Sequence, residues 1–421
     1  MIRGQNRILQ KQLIFGAVSG KVAGMKVITF GCRLNAFESA VIRQNAGDDL
    51  DDVILVHTCA VTAEAERQCR QAIRQTAKKY PGYKIIVAGC AAQLHPEVFA
   101  AMPEVFRVLG NHEKLSREVL LGSERVSVGD LSDEAPAIPL VPTMDGRNRA
   151  FLQIQQGCDH ACTFCVVRNL RGKNSGLPPE QVLAQARLFV ENGFPEIVLT
   201  GVDVASYPYG LWDLTERLLN EVDGLKRLRF GSLDPAGVGD DFLRLLERYP
   251  VLMPAVHLSV QSGDNLILKR MGRRHTAEQV VDFANRLRRV NPTATLGADL
   301  IAGFPTETEA QFKRTLGLIQ SAQITHAHVF PYSAREGTPA AKMPMVPKAE
   351  RVRRAEQART LGAQIQQKWL DKMVGKEVSV LVEQDGTGYT ENYLPVKTGH
   401  PEAVGQIITG IARKEKDELV F

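Results

Sequence analysis

No stretch of this 421-residue chain reaches the roughly 20 consecutive apolar residues that a membrane helix needs, so a helical membrane protein is excluded and no membrane partner is expected. A long apolar core with a small-residue cleavage site is also missing from residues 1–24, where Arg3, Arg7, Lys11 and Lys21 surround a short Leu-Ile-Phe patch. That excludes a clear signal peptide. Met25-Lys-Val-Ile-Thr-Phe opens directly as a strand, so Met25 is the expected native start and residues 1–24 an extension. An excess of one charge is missing too. The net charge of +5 permits a nucleic-acid partner without arguing for one,. There is no even cysteine set for a disulfide framework. The seven cysteines, at 32, 59, 69, 90, 158, 162 and 165, come without an export signal and point to a reducing compartment and metal or redox work,. A cytoplasmic location is expected. A hydrophobic content of 44% with 24% charged residues is that of a folded protein, and the length predicts two or three domains,.

What is present centres on Gly157-Cys-Asp-His-Ala-Cys-Thr-Phe-Cys165. The apolar run Phe151–Ile154 reads as a buried strand, which puts Cys158, Cys162 and Cys165 on the loop leaving its C-terminal end. Soft thiolates crowded on one loop suit zinc or an iron–sulfur cluster. Tetrahedral zinc normally takes four ligands, and only His160 stands nearby as a fourth. A cluster with one iron open to a small ligand needs only three.

Residues 26–121 alternate strands and helices. Strands are predicted at 26–31, 53–58 and 84–89, with helices near 35–44 and 61–79. Cys32, Cys59 and Cys90 each follow a strand. In a parallel open sheet those strand ends share one edge, where ligands bind. A second metal cluster accounts for the three together; the alternative is three small buried residues. Cys69 lies in the charged stretch Glu66-Arg-Gln-Cys-Arg-Gln and reads as a surface or packing residue, not a ligand. Residues 122–149, with Asp133, Glu134 and Pro136, have linker composition.

From 149 to 333 six strand-and-helix units follow, centred on 152–155, 196–200, 227–232, 257–260, 296–301 and 326–330. Val182, Ala186, Phe189 and Val190 share one helix face, as do Leu211, Leu214, Leu218 and Val222. Repeated units of this kind predict a parallel barrel, or part of one, with chemistry at the strand C-termini. The candidate ligand-binding residues at those ends are Thr200, Gly201, Asp203, Ser232, Gln261 and Asp299. Residues 347–375 form a helix whose Lys348, Arg351, Arg353, Arg354, Arg359, Lys368 and Lys372 either track phosphates or form a solvated face. Short strands at 377–382, 391–396, 405–412 and 419–421 predict a small β-barrel without basic excess. The fold class is therefore α/β: residues 25–122 form an amino-terminal parallel open sheet, 123–148 a linker, 149–346 a partial (β/α)6 barrel, 347–375 a basic helix and 376–421 a carboxy-terminal β-barrel.

With these residues in place the chain resembles a methylthiotransferase of the radical S-adenosylmethionine (SAM) superfamily, across about residues 25–421. The strings Gly31-Cys-Arg-Leu-Asn35, His57-Thr-Cys-Ala-Val-Thr62, Val329-Phe-Pro-Tyr-Ser333 with Gly337-Thr-Pro339, and Thr390-Glu-Asn-Tyr393 are most similar to the branch acting on N6-threonylcarbamoyladenosine in tRNA. The resemblance implies a [4Fe–4S] cluster on Cys158, Cys162 and Cys165 that binds and splits SAM. It implies a second [4Fe–4S] cluster on Cys32, Cys59 and Cys90, associated with sulfur delivery. It implies replacement of the hydrogen at adenine C2 by a methylthio group, one SAM supplying the radical and another the methyl. An aromatic C–H is too strong for protein acid–base groups, so a cofactor must do this step. The implied partners are the tRNA anticodon stem-loop, gripped by a TRAM-like barrel and offering a loop base, and an electron donor such as flavodoxin or ferredoxin. The protein is expected to be a monomer. The same architecture modifies isopentenyladenosine in tRNA or a ribosomal-protein aspartate, and a zinc-bearing RNA-binding protein without catalysis is the reading from another class. Thr306, where relatives carry Gly after Gly-Phe-Pro, Cys69 and residues 1–24 depart from the family pattern. The basic stretch Lys269–Arg274 is expected near RNA.

Overall fold

The computed structural model describes residues 14–15, 24–131, 137–144 and 146–421. Most of the predicted extension, and Asp133, Glu134 and Pro136 of the predicted linker, lie outside the described residues.

The amino-terminal sheet runs in order β1 (Ile14–Phe15), β2 (Lys26–Phe30), β3 (Val53–Thr58), β4 (Lys84–Gly89), β5 (Val105–Leu109) and β6 (Val126–Ser127). β2 to β6 are parallel, and β1 pairs antiparallel on the edge, Ile14 opposite Phe30. Every residue of β3 is buried, as a strand covered on both faces requires,. β5 is not legible in the apolar pattern because Arg107 interrupts it. The buried Arg107 guanidinium is satisfied by the carbonyls of Glu124, Leu120 and Val119 at 2.6, 2.9 and 2.9 Å,. Helices α1 (Arg33–Ala46), α2 (Ala63–Lys79) and α3 (Cys90–Leu94) leave the carboxyl ends of β2, β3 and β4.

The barrel strands are β7 (Ala150–Gln153), the short pair β8 (Gln155–Gln156) and β9 (Ser175–Gly176), then β10 (Glu196–Thr200), β11 (Arg227–Phe230), β12 (Ser232–Leu233), β13 (Ala255–Gln261), β14 (Thr295–Ala302) and β15 (Ile324–Pro331). β7, β10 and β11 form one parallel sheet and β12 to β15 another. Only Gly231 separates β11 from β12, so the set is the predicted six-unit partial barrel. Val182, Ala186, Phe189, Leu211, Leu214, Leu218 and Val222 are buried against it, and Val190 packs on the same core, as the helical spacing predicts,. Two short helices, α4 (Val167–Arg171) and α5 (Asn265–Met271), flank the cysteine loop.

The long helix α6 (Lys348–Met373) lies along β15 and corrects the reading of three residues of its basic face, while Lys348, Arg353, Lys368 and Lys372 stay exposed on it. Arg354 pairs with buried Glu307 at 2.8 Å, Arg359 donates to the Val329 carbonyl at 2.7 Å, and Arg351 donates to the Tyr332 carbonyl. These guanidiniums anchor the helix on the barrel and are not available to phosphates. The carboxy-terminal sheet runs β19 (Ile407–Ile411), β16 (Glu377–Val382), β17 (Thr387–Thr390), β18 (Pro395–Lys397), β21 (Glu418–Val420) and β20 (Arg413–Glu415), a curled half-barrel of the TRAM-like type. Of the strand predicted at 391–396, residues 391–394 are instead the turn between β17 and β18, with Tyr393 at φ +63°, and only 395–396 belong to β18. That turn closes the amino-terminal end of the barrel: Arg229 donates to the Glu391 and Thr390 carbonyls at 3.0 and 2.9 Å, and Arg227 to the Ser379 carbonyl at 2.7 Å. Glu196 takes Arg149, Arg227 and Arg229 at 3.3, 3.5 and 2.9 Å. Burial opposes its charge, but the three guanidiniums hold its carboxyl down at about 2,.

Candidate active site between two cysteine triads

Cys158, Cys162 and Cys165 occupy the loop after β8, as predicted. Gly157 makes the loop possible. Its φ is +68°, and a Cβ there would lie 1.8 Å from the Lys173 carbonyl oxygen,. Gln155 ties the loop to the barrel: its Nε2 donates to the Gly157 carbonyl at 2.8 Å, and its Oε1 accepts the Val202 and Asp203 amides at 2.9 and 2.8 Å. The sulfurs already meet donors. The His160 amide points at Cys158 at 3.4 Å, the Val167 amide at Cys165 at 3.4 Å, and Arg273 at Cys162 at 3.6 Å. His160, the one candidate fourth ligand, has its Nε2 2.7 Å from Asp203 Oδ2. The loop therefore offers three sulfurs and their donors, with the imidazole engaged by a carboxylate. That fits a cluster with one open iron better than four-ligand zinc, although Cys158, His160 and Asp203 also stand close enough to share one ion. Burial pushes the Cys158 thiol up to about 11 and raises Cys165, so the metal-free loop keeps those protons and metal binding must release them,.

The sheet edge gathers Cys32, Cys59 and Cys90 as predicted. Cys32 caps α1 and Cys90 opens α3. Burial raises the Cys59 thiol, and the neighbouring Cys90 and Cys32 raise it further. Gly31, at φ +97°, leaves room for this: a Cβ there would be 3.0 Å from the Cys59 sulfur. Cys32 is open to solvent by area yet lies in a crowded recess that raises its thiol, against Arg171, which lowers it. Cys69 is a packing residue and not a surface one. It is fully buried behind Cys59, whose main chain hydrogen-bonds its sulfur, and burial pushes its thiol up to about 12.

A buried ion network that the sequence reading missed ties the helix after Cys165 to the elements that carry Cys32, Cys59 and Cys90. Arg171, at the end of α4, donates to both Glu38 oxygens at 2.7 and 2.9 Å and to Asn35 at 2.7 Å. Lys114 donates to Glu38 at 2.8 Å and to Asn111 at 2.7 Å, with His57 Nε2 3.1 Å away. Asn111 spans the gap, its amide 2.6 Å from the Leu170 carbonyl and 3.8 Å from the Cys90 sulfur. Burial opposes the charge on Glu38, but Arg171 and Lys114 hold it well below the usual carboxylate range. Burial, then Lys114, keep His57 neutral. The networked residues are far apart in sequence, so no local spacing advertises them.

The structure splits the six predicted ligand-binding residues into two groups. Thr200, Gly201 and Asp203 adjoin the cysteine loop, where Gly201 rests on Gln155 and its Cβ would meet Oε1 at 2.7 Å. Ser232 and Asp299 meet inside the barrel, Ser232 donating at 2.8 Å. Gln261, at φ +72°, ends β13. The basic stretch lies against the cysteine loop: Gly272 faces the Ala161 carbonyl, Arg273 pairs with Asp234 at 3.4 Å, and Arg270 donates to Thr306 at 2.8 Å. That bond steadies Thr306, whose φ of +69° glycine would adopt freely,. Lys269 and Arg274 stay exposed.

Residues 152–319 match the Radical SAM superfamily and residues 24–110 match Uncharacterized protein family UPF0004. The chain is 45% identical over 391 residues to the threonylcarbamoyladenosine tRNA methylthiotransferase MtaB of Rickettsia prowazekii, covering 91% of this chain and 93% of that one. The chain belongs to the radical SAM tRNA methylthiotransferase family. A second relative of this methylthiotransferase, MtaB of Bacillus subtilis, is 34% identical, with 90% of this chain and 91% of the relative covered. The tRNA-2-methylthio-N(6)-dimethylallyladenosine synthase of Staphylococcus haemolyticus is 33% identical, covering 92% and 82%. Among solved structures, the radical SAM methyltransferase TsrM of Kitasatospora setae, with tryptophan and a SAM analogue bound, superposes at TM-score 0.51 and 15% identity over 73% of this chain and 67% of its own. That likeness shows the fold. Like its family, the methylthiotransferase is a transferase that works with SAM and [4Fe–4S] chemistry.

Proposed function

We propose that the protein adds a 2-methylthio group to N6-threonylcarbamoyladenosine next to the tRNA anticodon, using two [4Fe–4S] clusters. The observation that carries this reading is the link of the two cysteine triads through Asn111 and Arg171: the helix that follows Cys165 bonds to Asn111, which touches Cys90, and to Asn35, which follows Cys32. Cys158, Cys162 and Cys165 would hold the cluster that binds SAM, and Cys32, Cys59 and Cys90 the one associated with sulfur delivery. When bound, these groups supply the one-electron chemistry and the sulfur that no side chain offers. The chain's own residues position them. Gln155 and Gly157 shape the loop, Arg273 and the loop amides donate to its sulfurs, and Thr200, Gly201, Asp203, Ser232, Gln261 and Asp299 line the space for SAM and the target base. The TRAM-like sheet, with Lys269 and Arg274, would meet the anticodon stem-loop. An electron donor such as flavodoxin or ferredoxin, a monomeric state and a cytoplasmic location complete the reading, with domain limits at 25–122, 149–346 and 376–421. Residues 1–24 remain an extension in it.

The first alternative is the isopentenyl-type nucleoside, which the 33% identity to a dimethylallyladenosine synthase supports. Nucleoside mass spectrometry of tRNA with and without the gene separates the two. Loss of the 2-methylthio form, with the threonylcarbamoyl form remaining, is expected. An unchanged profile refutes the proposal.

A further inference from the structure

The barrel interior holds a polar cluster that neither cysteine triad uses. Along β13 residues 256, 258 and 260 are buried and 257, 259 and 261 half-buried, so His257, Ser259 and Gln261 share one face of the strand,. Asp299 of β14 and His328 of β15 meet that face. Asp299 Oδ1 lies 3.0 Å from His257 Nε2 and 3.4 Å from His328 Nδ1, and its Oδ2 accepts from Ser232 at 2.8 Å. The two imidazoles lie 4.6 Å apart, centre to centre. Gly297 permits the arrangement, since a Cβ there would come within 2.3 Å of His257 Nδ1. The side chains of Asp299 and His328 are 27% and 34% exposed, so the cluster is reachable from solvent although barrel strands surround it.

A cation opens the helix that packs on the first strand of the barrel. Arg33 follows Cys32 directly and begins α1, which packs along β7. Among the described residues it is half-buried with no hydrogen bond or ion pair. Its charge reaches His257 and reaches Tyr393, which seals the amino-terminal end of the barrel. Removing a guanidinium from water without a partner is unfavourable, so an anion supplied by a ligand is the complement this position lacks.

We propose that Arg33 and the Asp299–His257–His328 cluster form the receptor for the carboxylate-bearing N6 substituent of the target adenosine. This rests on the N6-threonylcarbamoyladenosine reading above. The threonylcarbamoyl group carries a carboxylate, which a guanidinium binds through two parallel hydrogen bonds. It also carries a hydroxyl and ureido N–H groups, which an anionic acceptor such as Asp299 can take. An isopentenyl-type group offers none of these and would leave Arg33 desolvated and unpaired. Because Arg33 adjoins Cys32, gripping the carboxylate also fixes where the purine sits relative to the second triad.

The test uses the full-length, cluster-reconstituted protein and anticodon stem-loops carrying the threonylcarbamoyl group as free acid or as methyl ester. The parent is expected to turn over the acid with kcat/KM at least about 10-fold above the ester, and Arg33→Gln to lower the acid value by about 10²-fold and bring the ratio near one. Arg33→Lys keeps the charge and part of the ratio. The acid–ester comparison on the parent needs no variant, so it stands even if Arg33→Gln loses iron. Equal kcat/KM for acid and ester in the parent overturns the receptor while leaving the nucleoside assignment intact. So does a parental ratio in an iron-replete Arg33→Gln. A parent that methylthiolates only isopentenyl-bearing stem-loops overturns the nucleoside assignment itself.

Discussion

Replacing Arg171 with Met tests whether the buried ion network joins the two cysteine triads. Arg171 makes three hydrogen bonds, at 2.7, 2.9 and 2.7 Å, to Glu38 and Asn35. The Arg171 and Glu38 side chains are 3% and 1% exposed, so water cannot replace those bonds. The methionine side chain would fill most of the volume but leave Glu38 with Lys114 as its one full positive partner, at 2.8 Å. Breaking a buried pair by removing one partner costs about 3–5 kcal/mol, because the remaining charge is buried and under-compensated. For a unit of 150–250 residues each kcal/mol moves the midpoint by about 2–4 °C, so a fall of roughly 6–20 °C is expected. Thermal unfolding is followed anaerobically by circular dichroism, with iron measured on the same samples. Glu38→Gln should cost a similar amount, and the double variant less than the sum, with a coupling of about 1–3 kcal/mol. A midpoint within about 2 °C of the parent for Arg171→Met, or strict additivity in the cycle, refutes the argument.

The two triads should separate chemically. Changing Cys158, Cys162 and Cys165 to Ala is expected to abolish SAM cleavage, whereas changing Cys32, Cys59 and Cys90 should spare cleavage and stop methylthio formation. Iron should fall from about eight to about four per chain in either triple variant. Methylthiolated tRNA from the amino-terminal triple variant would refute the two-cluster division. Acid stability should report on His275. Its Nδ1 is buried without a partner, and burial first, then Arg273, lower its pKa to about 4. The folded value lies below the ordinary 6.5, so the unfolded chain binds more protons between pH 6.5 and 4. Stability is complete above that window and is lost through it on acidification, by about 3 kcal/mol from this group. His275→Gln should flatten the dependence of the unfolding midpoint on pH between 6.5 and 4.

The sequence alone determined the parts written in short-range pattern. The 158, 162 and 165 spacing put three thiols on one loop whatever the rest of the chain did. The buried runs at 53–58 and 84–89 announced parallel strands, and parallel strands carry Cys59 and Cys90 to the same edge as Cys32. The tertiary structure decided what each polar side chain faces. The basic residues of 348–373 read as a phosphate track or a solvated face until packing turned Arg351, Arg354 and Arg359 onto the barrel. Cys69 read as a surface or packing residue in its charged helix until the turn of that helix drove it beneath Cys59. Glu38, His57, Lys114 and Arg171, and likewise Arg33, His257, Asp299 and His328, come from separate elements, so only chain topology brings them together. The physical reason is range: strand and helix periodicity act over a few residues, whereas an ion pair in a low-dielectric interior forms between whichever groups the packed elements bring within a few ångströms.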